Sequence, residues 1–195
     1  MGRIFYIMGK SSSGKDTIYK RLSERRPDMK RIIPYTTRPV REGETDGVEY
    51  FFVDQKRLND LMDEGRVIEV RSYDTKFGIW TYFTADDGQI NLDRHDYLVI
   101  GTLVSYRALR DYFGSDKLVP IYIEVEDGLR LYRALQRERK EKAPKYAEMC
   151  RRFLADSEDF SEDNLRKAGI ERRFENLDLD ACLEEINRYI EDFRV

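Results

Sequence analysis

The sequence predicts a doubly wound α/β fold, in which helices cover both faces of a parallel sheet. Short apolar runs rich in β-branched and aromatic residues alternate with segments of helical periodicity along most of the chain. These runs are nearly continuous in apolar residues, which is typical of strands buried on both faces. The chain has 195 residues, 41% of them hydrophobic, and is long enough to bury such a core as one domain.

The elements of this core follow one another along the chain. Strands are predicted at residues 3–9, 97–102, 118–125 and, from a weaker pattern, 172–177. Helices are predicted at residues 15–26, 105–113, 127–141, 145–159 and 178–193.

Residues 33–84 break the alternation. They contain two prolines, four glycines and short strand-like pieces around a helix at 55–64. A charged helical stretch further on is interrupted by Pro144, as in a mobile arm. We therefore predict one domain, 1–195, with three parts. The core comprises residues 1–32, 85–128 and 152–195. An inserted mostly-β, acceptor-binding subdomain comprises residues 33–84, and a helical lid comprises residues 129–151.

Composition narrows the class of protein. The net charge of −3 gives no support for binding nucleic acid, and any anion must meet a local basic pocket. No apolar run approaches the ~20 residues that a membrane span needs, and the N-terminus has no signal pattern. We expect a cytoplasmic protein, monomeric or homodimeric, without a membrane partner.

The loop after the first predicted strand matches the phosphate-binding pattern G-x-x-x-x-G-K, with Gly9, Gly14 and Lys15 in place. It opens a predicted helix, whose first N–H groups point at a bound anion. A plain serine- and glycine-rich turn is the alternative. We predict a P-loop NTPase-type core that binds ATP through Gly9, Ser11, Ser12, Ser13, Gly14, Lys15, Asp16 and Thr17.

Asp16 departs from the pattern, because Ser or Thr usually follows the lysine and its hydroxyl ligates Mg²⁺. In one interpretation Asp16 is an ordinary first-turn residue that favours the positive end of the helix dipole. In the other, Asp16 or Thr17 holds Mg²⁺, which accepts carboxylate oxygen readily and would separate the carboxylate from the triphosphate. We predict Mg²⁺ as the cofactor.

The segment PYTTRPVREGETDGVEYFFV (34–53) carries paired threonines, two arginines three apart and a later tyrosine. Arg38 and Arg41 can clamp a phosphate monoester, with Tyr50 donating a third hydrogen bond. The segment resembles the acceptor-binding segment of guanylate kinases. The matching positions are Thr36, Thr37, Arg38, Arg41, Gly43, Glu44, Gly47, Tyr50 and Phe52.

A second stretch, RVIEVRSYDTKFGIW (66–80), resembles the part of guanylate kinases that completes the acceptor pocket. The resemblance implies that Glu69 reads the base, and that Thr37 and Gly78 also belong to the acceptor site; a solvent-facing strand residue is the alternative for Glu69. The family's polar contacts are missing in three places. Pro34 replaces a serine, Phe77-Gly78-Ile79 replaces Tyr-Gly-Ser/Thr, and residues 101–103 contain no carboxylate.

The lid region resembles that of the same kinases, in which arginines reach over the transferring phosphoryl group. Arg133 and Arg137 lie four apart, on one helical face, and Arg152 follows Pro144. A solvated, salt-bridged helix is the alternative. Near the C-terminus, FENLDLD (174–180) resembles the family's adenine-side loop, which implies that Asn176 contacts ATP.

These resemblances imply ATP-dependent phosphorylation of a nucleoside monophosphate, GMP or dGMP, by direct in-line transfer. Lys15, Arg133, Arg137 and Arg152 would stabilise the transferring group. Two alternatives stay open: a kinase of the same fold for another phosphorylated acceptor, such as ribose 1,5-bisphosphate, and a guanylate-kinase-like binding module without catalysis.

Overall fold

The computed structural model describes residues 2–75 and 78–194. Its strands are β1 (Ile4–Met8), β2 (Lys30–Arg31), β3 (Tyr35–Thr36), β4 (Phe51–Phe52), β5 (Val67–Thr75), β6 (Gly78–Ala85), β7 (Tyr97–Ile100), β8 (Leu118–Glu124) and β9 (Arg173–Glu175). Its helices are α1 (Lys15–Arg25), α2 (Gln55–Asp63), α3 (Leu103–Phe113), α4 (Asp127–Glu138), α5 (Tyr146–Asp159), α6 (Glu162–Lys167) and α7 (Leu179–Asp192).

Two sheets organise these elements. The larger has five parallel strands in the order β2-β7-β1-β8-β9, so that β1 lies at its centre. The smaller has four strands in the order β4-β3-β6-β5, and its longest pairing is the antiparallel one between β5 and β6. The smaller sheet and α2 share a hydrophobic core of their own, centred on Leu58, Leu61 and Phe83.

Alternate side chains of β1 divide the main core into two layers, as the period of a strand requires. Phe5 and Ile7 pack with residues of α1 and α7 on one face of the sheet. Ile4, Tyr6 and Met8 pack with residues of α3 and α6 on the other face. Helices thus cover both faces of a parallel sheet, and the predicted doubly wound α/β fold is confirmed.

The predicted strands and helices of the core are all present, with ends that match or differ by up to three residues. The helix predicted to reach residue 141 ends at Glu138, whose carboxylate instead accepts the Lys145 backbone N–H at 2.9 Å. Three short elements, β2, β3 and α6, were not predicted. Elements of two to six residues are too short to show a period.

No helix within residues 2–75 and 78–194 combines the length and the apolar character needed to cross a membrane.

Candidate active site

The phosphate-binding pattern lies in the turn between central strand β1 and helix α1. Gly14 adopts a positive φ of 89°, and a Cβ atom there would lie 2.3 Å from Asn176 Nδ2, so the turn requires glycine. Gly14 also carries no side chain to cap α1, which leaves the first N–H groups of the helix for an anion. Among the described residues, the buried hydroxyls of Ser12 and Ser13 find no hydrogen-bond partner. The turn therefore fits a polyphosphate.

Lys15 and Asp16 begin the helix beside a cavity of about 560 Å³, which both residues line. Of the two cavities that Ser11 of the phosphate loop lines, it is the larger, and we call it the large cavity. The Lys15 Nζ atom lies 3.5 Å from Asp16 Oδ2, and the side chains are 19% and 84% exposed. Thr17 is exposed on the same helical turn. An exposed carboxylate beside a phosphate site has the chemistry that Mg²⁺ accepts, so Asp16 fits the predicted metal.

Asn176 holds the phosphate loop from behind. Its buried side chain donates from Nδ2 to the Ser13 backbone carbonyl at 2.7 Å. The backbone carbonyl of Asn176 accepts from Arg133 Nη2 at 3.0 Å. This contact uses the amide that the resemblance assigned to ATP. Asn176 is thus placed to position the loop, and Arg133 is placed to position Asn176. Neither residue is in the lining of the two cavities beside the loop.

Arg130, which sequence reasoning missed, ties the lid helices to the same loop. It is 1% exposed and donates from Nη1 to the Ser11 carbonyl at 3.0 Å and from Nη2 to Asp127 at 2.7 Å. From α5, Asp156 accepts the Ser11 backbone N–H at 2.7 Å. The start of α4 and the end of α5 therefore both contact the phosphate loop. The i, i+3 spacing of Asp127 and Arg130 was the available signal.

Three predicted arginines meet at a second cavity, of about 290 Å³. Arg41 from the acceptor subdomain and Arg137 and Arg152 from α4 and α5 line it, together with Ser11 and Ser12 of the phosphate loop. The guanidinium of Arg41 also lies 5.7 Å from the ring centre of Trp80. Glu138 and Glu148 also line the cavity, but the arginines and Lys145 outnumber them, so the cavity is a cationic space between the phosphate loop, Arg41 and helices α4 and α5.

Arg38 occupies a different place from its predicted partner Arg41. It is 3% exposed and forms a two-pronged ion pair with Glu44, at 2.7 and 2.6 Å, while its guanidinium stacks 5.1 Å from the Tyr50 ring centre. Hydrogen bonding to Arg38 lowers the pKa of Glu44 to about 2. The buried Arg38 Nε has no partner among the described residues. Arg38 Nη1 also donates to the Pro39 carbonyl at 2.9 Å, so Arg38 is held by Glu44 and by the adjacent backbone.

The remaining predicted acceptor residues divide between the cavity and the sheet. Tyr50 lines the large cavity beside Tyr82, with ring centres 5.7 Å apart. Thr37 instead pairs with Thr81, accepting its N–H at 3.0 Å, so its side chain serves the sheet. Gly78 is exposed at the tip of the β5–β6 hairpin, away from the cavity lining. Thr37 and Gly78 thus lie outside the lining of the large cavity, and their assignment to the acceptor site stays a prediction.

Glu69 lines the large cavity and forms an ion pair with Arg71, two residues along β5. The Glu69 carboxylate accepts from Arg71 Nε at 2.9 Å, from Arg71 Nη2 at 3.4 Å and from Thr84 Oγ1 at 3.0 Å. Arg71 Nη1 donates to Thr102 Oγ1 at 3.3 Å. Burial acts to lower the pKa of Arg71, but the charge and hydrogen bonds of Glu69 outweigh it and raise the pKa. Strand alternation places residues 69 and 71 on one face, which was the signal for Arg71.

Two of the three departures from the family pattern lie in the lining of the same cavity as this ion pair. Pro34 lines the cavity. Gly101 and Thr102 also line it, and they belong to the stretch in which the family pattern has a carboxylate and this chain has none. Ile79 is 69% exposed and lies on the hairpin, outside the cavity lining. Phe77 lies outside the described residues. The cavity thus lacks these family contacts and is lined by the guanidinium of Arg71.

Comparison with known proteins gives one consistent family. Residues 1–83 match the family model for guanylate kinase. The guanylate kinase of Thermobifida fusca is 45% identical over 67 residues, which are 34% of this chain and 34% of that protein; the guanylate kinase of Mycobacterium bovis is 41% identical over 69 residues, 35% of this chain and 33% of that protein. The matched part of the chain thus spans about a third of the length of each of these curated relatives.

A solved structure extends the likeness to the whole fold. The crystal structure of guanylate kinase from Anaplasma phagocytophilum superposes with a TM-score of 0.67 over 98% of this chain and 85% of that chain, at 17% identity. At this identity the likeness shows the fold alone, and the predicted P-loop NTPase-type fold is confirmed.

Proposed function

The family match and the curated relatives support the guanylate kinase family, and from this premise we propose that the protein is an ATP-dependent nucleoside-monophosphate kinase. It transfers the γ-phosphoryl group of ATP directly to the phosphate of the acceptor, and GMP or dGMP is the acceptor that the relatives favour. The observation that carries the proposal is the cationic cavity in which Arg41, Arg137 and Arg152 meet the phosphate loop.

On the donor side, the backbone N–H groups of the loop and Lys15 bind the ATP phosphates. Arg137 and Arg152 stabilise charge on the transferring group and help to exclude water. Asp16, or Thr17 beside it, would hold Mg²⁺, which neutralises phosphate charge when bound. Arg130, Arg133 and Asn176 keep the loop in place.

On the acceptor side, Arg41 from the cationic cavity and Tyr50 from the large cavity bind the acceptor phosphate, and Arg38 keeps Tyr50 in place through the contact of its guanidinium with the Tyr50 ring. We propose that residues 33–84 and 129–151 close over the core to bring donor and acceptor together. No general base is needed, because a phosphate monoester, with a second pKa of about 6, is largely ionised at neutral pH.

The test is ADP release from ATP·Mg²⁺ with GMP, dGMP, AMP, CMP, UMP, dTMP and ribose 1,5-bisphosphate as acceptors. Lys15→Ala should lower kcat by roughly 100-fold or more, because it removes a charge from the transition state. Lys56→Ala is the matched control, since Lys56 is an exposed lysine of α2 paired with Asp60. If ADP were released with none of these acceptors, the proposed kinase activity would be wrong, and a binding module without catalysis would be the remaining interpretation.

The Glu69–Arg71 pair favours a second candidate, a kinase for an acceptor other than GMP. A guanidinium that lines the large cavity would also suit a second anionic group, as in ribose 1,5-bisphosphate. Turnover of that compound with all nucleotides inert would support this candidate.

A further inference from the structure

Arg71, and not Glu69, is the charged group that the large cavity exposes. The Arg71 side chain is 22% exposed and that of Glu69 only 5%, although both line the cavity. The two lie on one face of β5, with Thr84 behind Glu69 and Thr102 beside Arg71. A ligand that enters the cavity therefore meets the guanidinium first.

The hydrogen bonds of Arg71 leave a defined pair of donors. A guanidinium has five N–H groups. Glu69 engages one on Nε and one on Nη2, and Thr102 engages one on Nη1. One N–H then remains on each terminal nitrogen. Two neighbouring donors fit a ligand with two neighbouring acceptor atoms.

Glu69 is correspondingly poorly placed to read guanine by itself. A carboxylate that reads the N1–H and N2–H donors of guanine needs one free lone pair facing them on each oxygen. Both Glu69 oxygens already accept from Arg71, and Oε1 accepts from Thr84 as well. Guanine would have to displace Arg71 to use the same carboxylate edge.

We propose that Arg71 is a specificity-determining residue that reads the O6/N7 edge of a 6-oxopurine mononucleotide, with Glu69 as the residue that positions it. This inference rests on the proposed nucleoside-monophosphate kinase function. Arginine pairs with O6 and N7 of guanine through two parallel hydrogen bonds. Adenine presents an amino group in place of O6, so it sets a donor against a donor.

The walls of the cavity favour a base over a second phosphate as the partner of Arg71. Tyr50, Tyr73, Trp80 and Tyr82 line the space, and Tyr82 lies 5.7 and 5.8 Å from the ring centres of Tyr50 and Tyr73. Flat aromatic bases gain from such surfaces, whereas a phosphate does not.

Binding can be followed without catalysis, because Trp80 is the single tryptophan of the chain and lines the cavity. The fluorescence of Trp80 should report the Kd of GMP, IMP, 7-deaza-GMP and AMP, which share the same phosphate. IMP keeps O6 and N7 and lacks only the 2-amino group, so we expect a Kd close to that of GMP. 7-deaza-GMP loses N7 and should bind roughly 10- to 100-fold more weakly, and AMP at least as weakly.

The variant Arg71→Lys keeps the positive charge beside Glu69 but removes the paired donors. It should bind GMP and 7-deaza-GMP with nearly equal Kd. Arg66→Lys is the matched control, because Arg66 forms the same kind of pair with Glu64 at 2.9 Å but is 47% exposed. Its preference for GMP over 7-deaza-GMP should match that of the unmodified protein. Thermal unfolding of both variants checks that they fold.

Two results would overturn the inference. One is that 7-deaza-GMP binds as well as GMP while IMP binds much more weakly, which is the pattern of a Glu69 reader. The other is that ribose 1,5-bisphosphate binds and no nucleotide does. The proposed kinase reaction is judged separately, by ADP release with whichever acceptor binds.

Discussion

The buried ion pair of Arg38 and Glu44 links stability to pH. Because Arg38 lowers the folded-state pKa of Glu44 from its ordinary value to about 2, the pair stabilises the protein above the unfolded-state pKa, and this contribution is lost as the pH falls towards 2. Glu44 is 18% exposed at the side chain, so we expect about 2 kcal/mol at pH 7, less than the full shift implies.

Glu44→Gln should therefore lower the free energy of unfolding at pH 7, and the difference from the unmodified protein should shrink between pH 4.5 and 2. Urea denaturation across this range measures it. Glu64→Gln is the control, because Glu64 pairs with exposed Arg66 and should cost little at any pH. A Glu44→Gln difference that stays constant with pH would contradict the assignment.

At the scale of elements, Arg130 joins α4 and α5 to the phosphate loop. Arg130→Met keeps much of the side-chain volume but removes the cation beside Asp156, whereas Asp127 keeps its ion pair with Lys10 at 3.2 Å. We expect a loss of about 3 kcal/mol in unfolding free energy and a higher KM for ATP, because the Ser11 peptide is no longer held. Urea denaturation and steady-state kinetics measure both effects.

Arg21→Met provides the comparison for Arg130. Arg21 pairs with Asp180 across the surface, with side chains 44% and 74% exposed, and should cost less than 1 kcal/mol. Equal effects of the two variants would mean that the lid helices do not depend on Arg130.

Most of the core elements could be predicted from the sequence, because long apolar runs and helical periods report burial directly. The phosphate-binding pattern, residues 9–15, adds a local signal for where β1 ends and α1 begins. Strands β2 and β3 have two residues each and depend on pairing with distant partners, Tyr97 and Leu98 for β2. Pairing of this kind is a property of the folded chain that no local pattern contains.

At the scale of the whole molecule, the sequence indicated which residues are basic but not which of them are held by a carboxylate or a carbonyl in the folded chain. Arg38 and Arg41 look equivalent in the pattern, yet one is held by Glu44 and the other reaches the loop cavity. Arg133 and Arg137 share a helical face, yet Arg133 is used by the carbonyl of Asn176. Partners distant in sequence decide these roles, so the site residues stay predictions until their ligands are tested.

The convergence of Arg41, Arg137 and Arg152 from three parts of the chain leads to a prediction for the whole molecule. Like charges that share a cavity repel one another, and a bound polyphosphate removes this repulsion. Closure of residues 33–84 and 129–151 should therefore need both ligands, an unreactive ATP analogue and GMP, because each neutralises only part of the cluster.

Small-angle X-ray scattering should show a smaller radius of gyration with both ligands together than with either alone. The double variant Arg137→Gln, Arg152→Gln removes the lid's share of the cluster and should weaken this contraction. The double variant Arg21→Gln, Arg25→Gln removes two exposed arginines of α1, which pair with Asp180 and Glu184 of α7, and should leave the contraction intact. An unchanged radius with both ligands bound would mean that the cationic cavity is already in its working arrangement, and that phosphoryl transfer needs no closure of the subdomain and the lid.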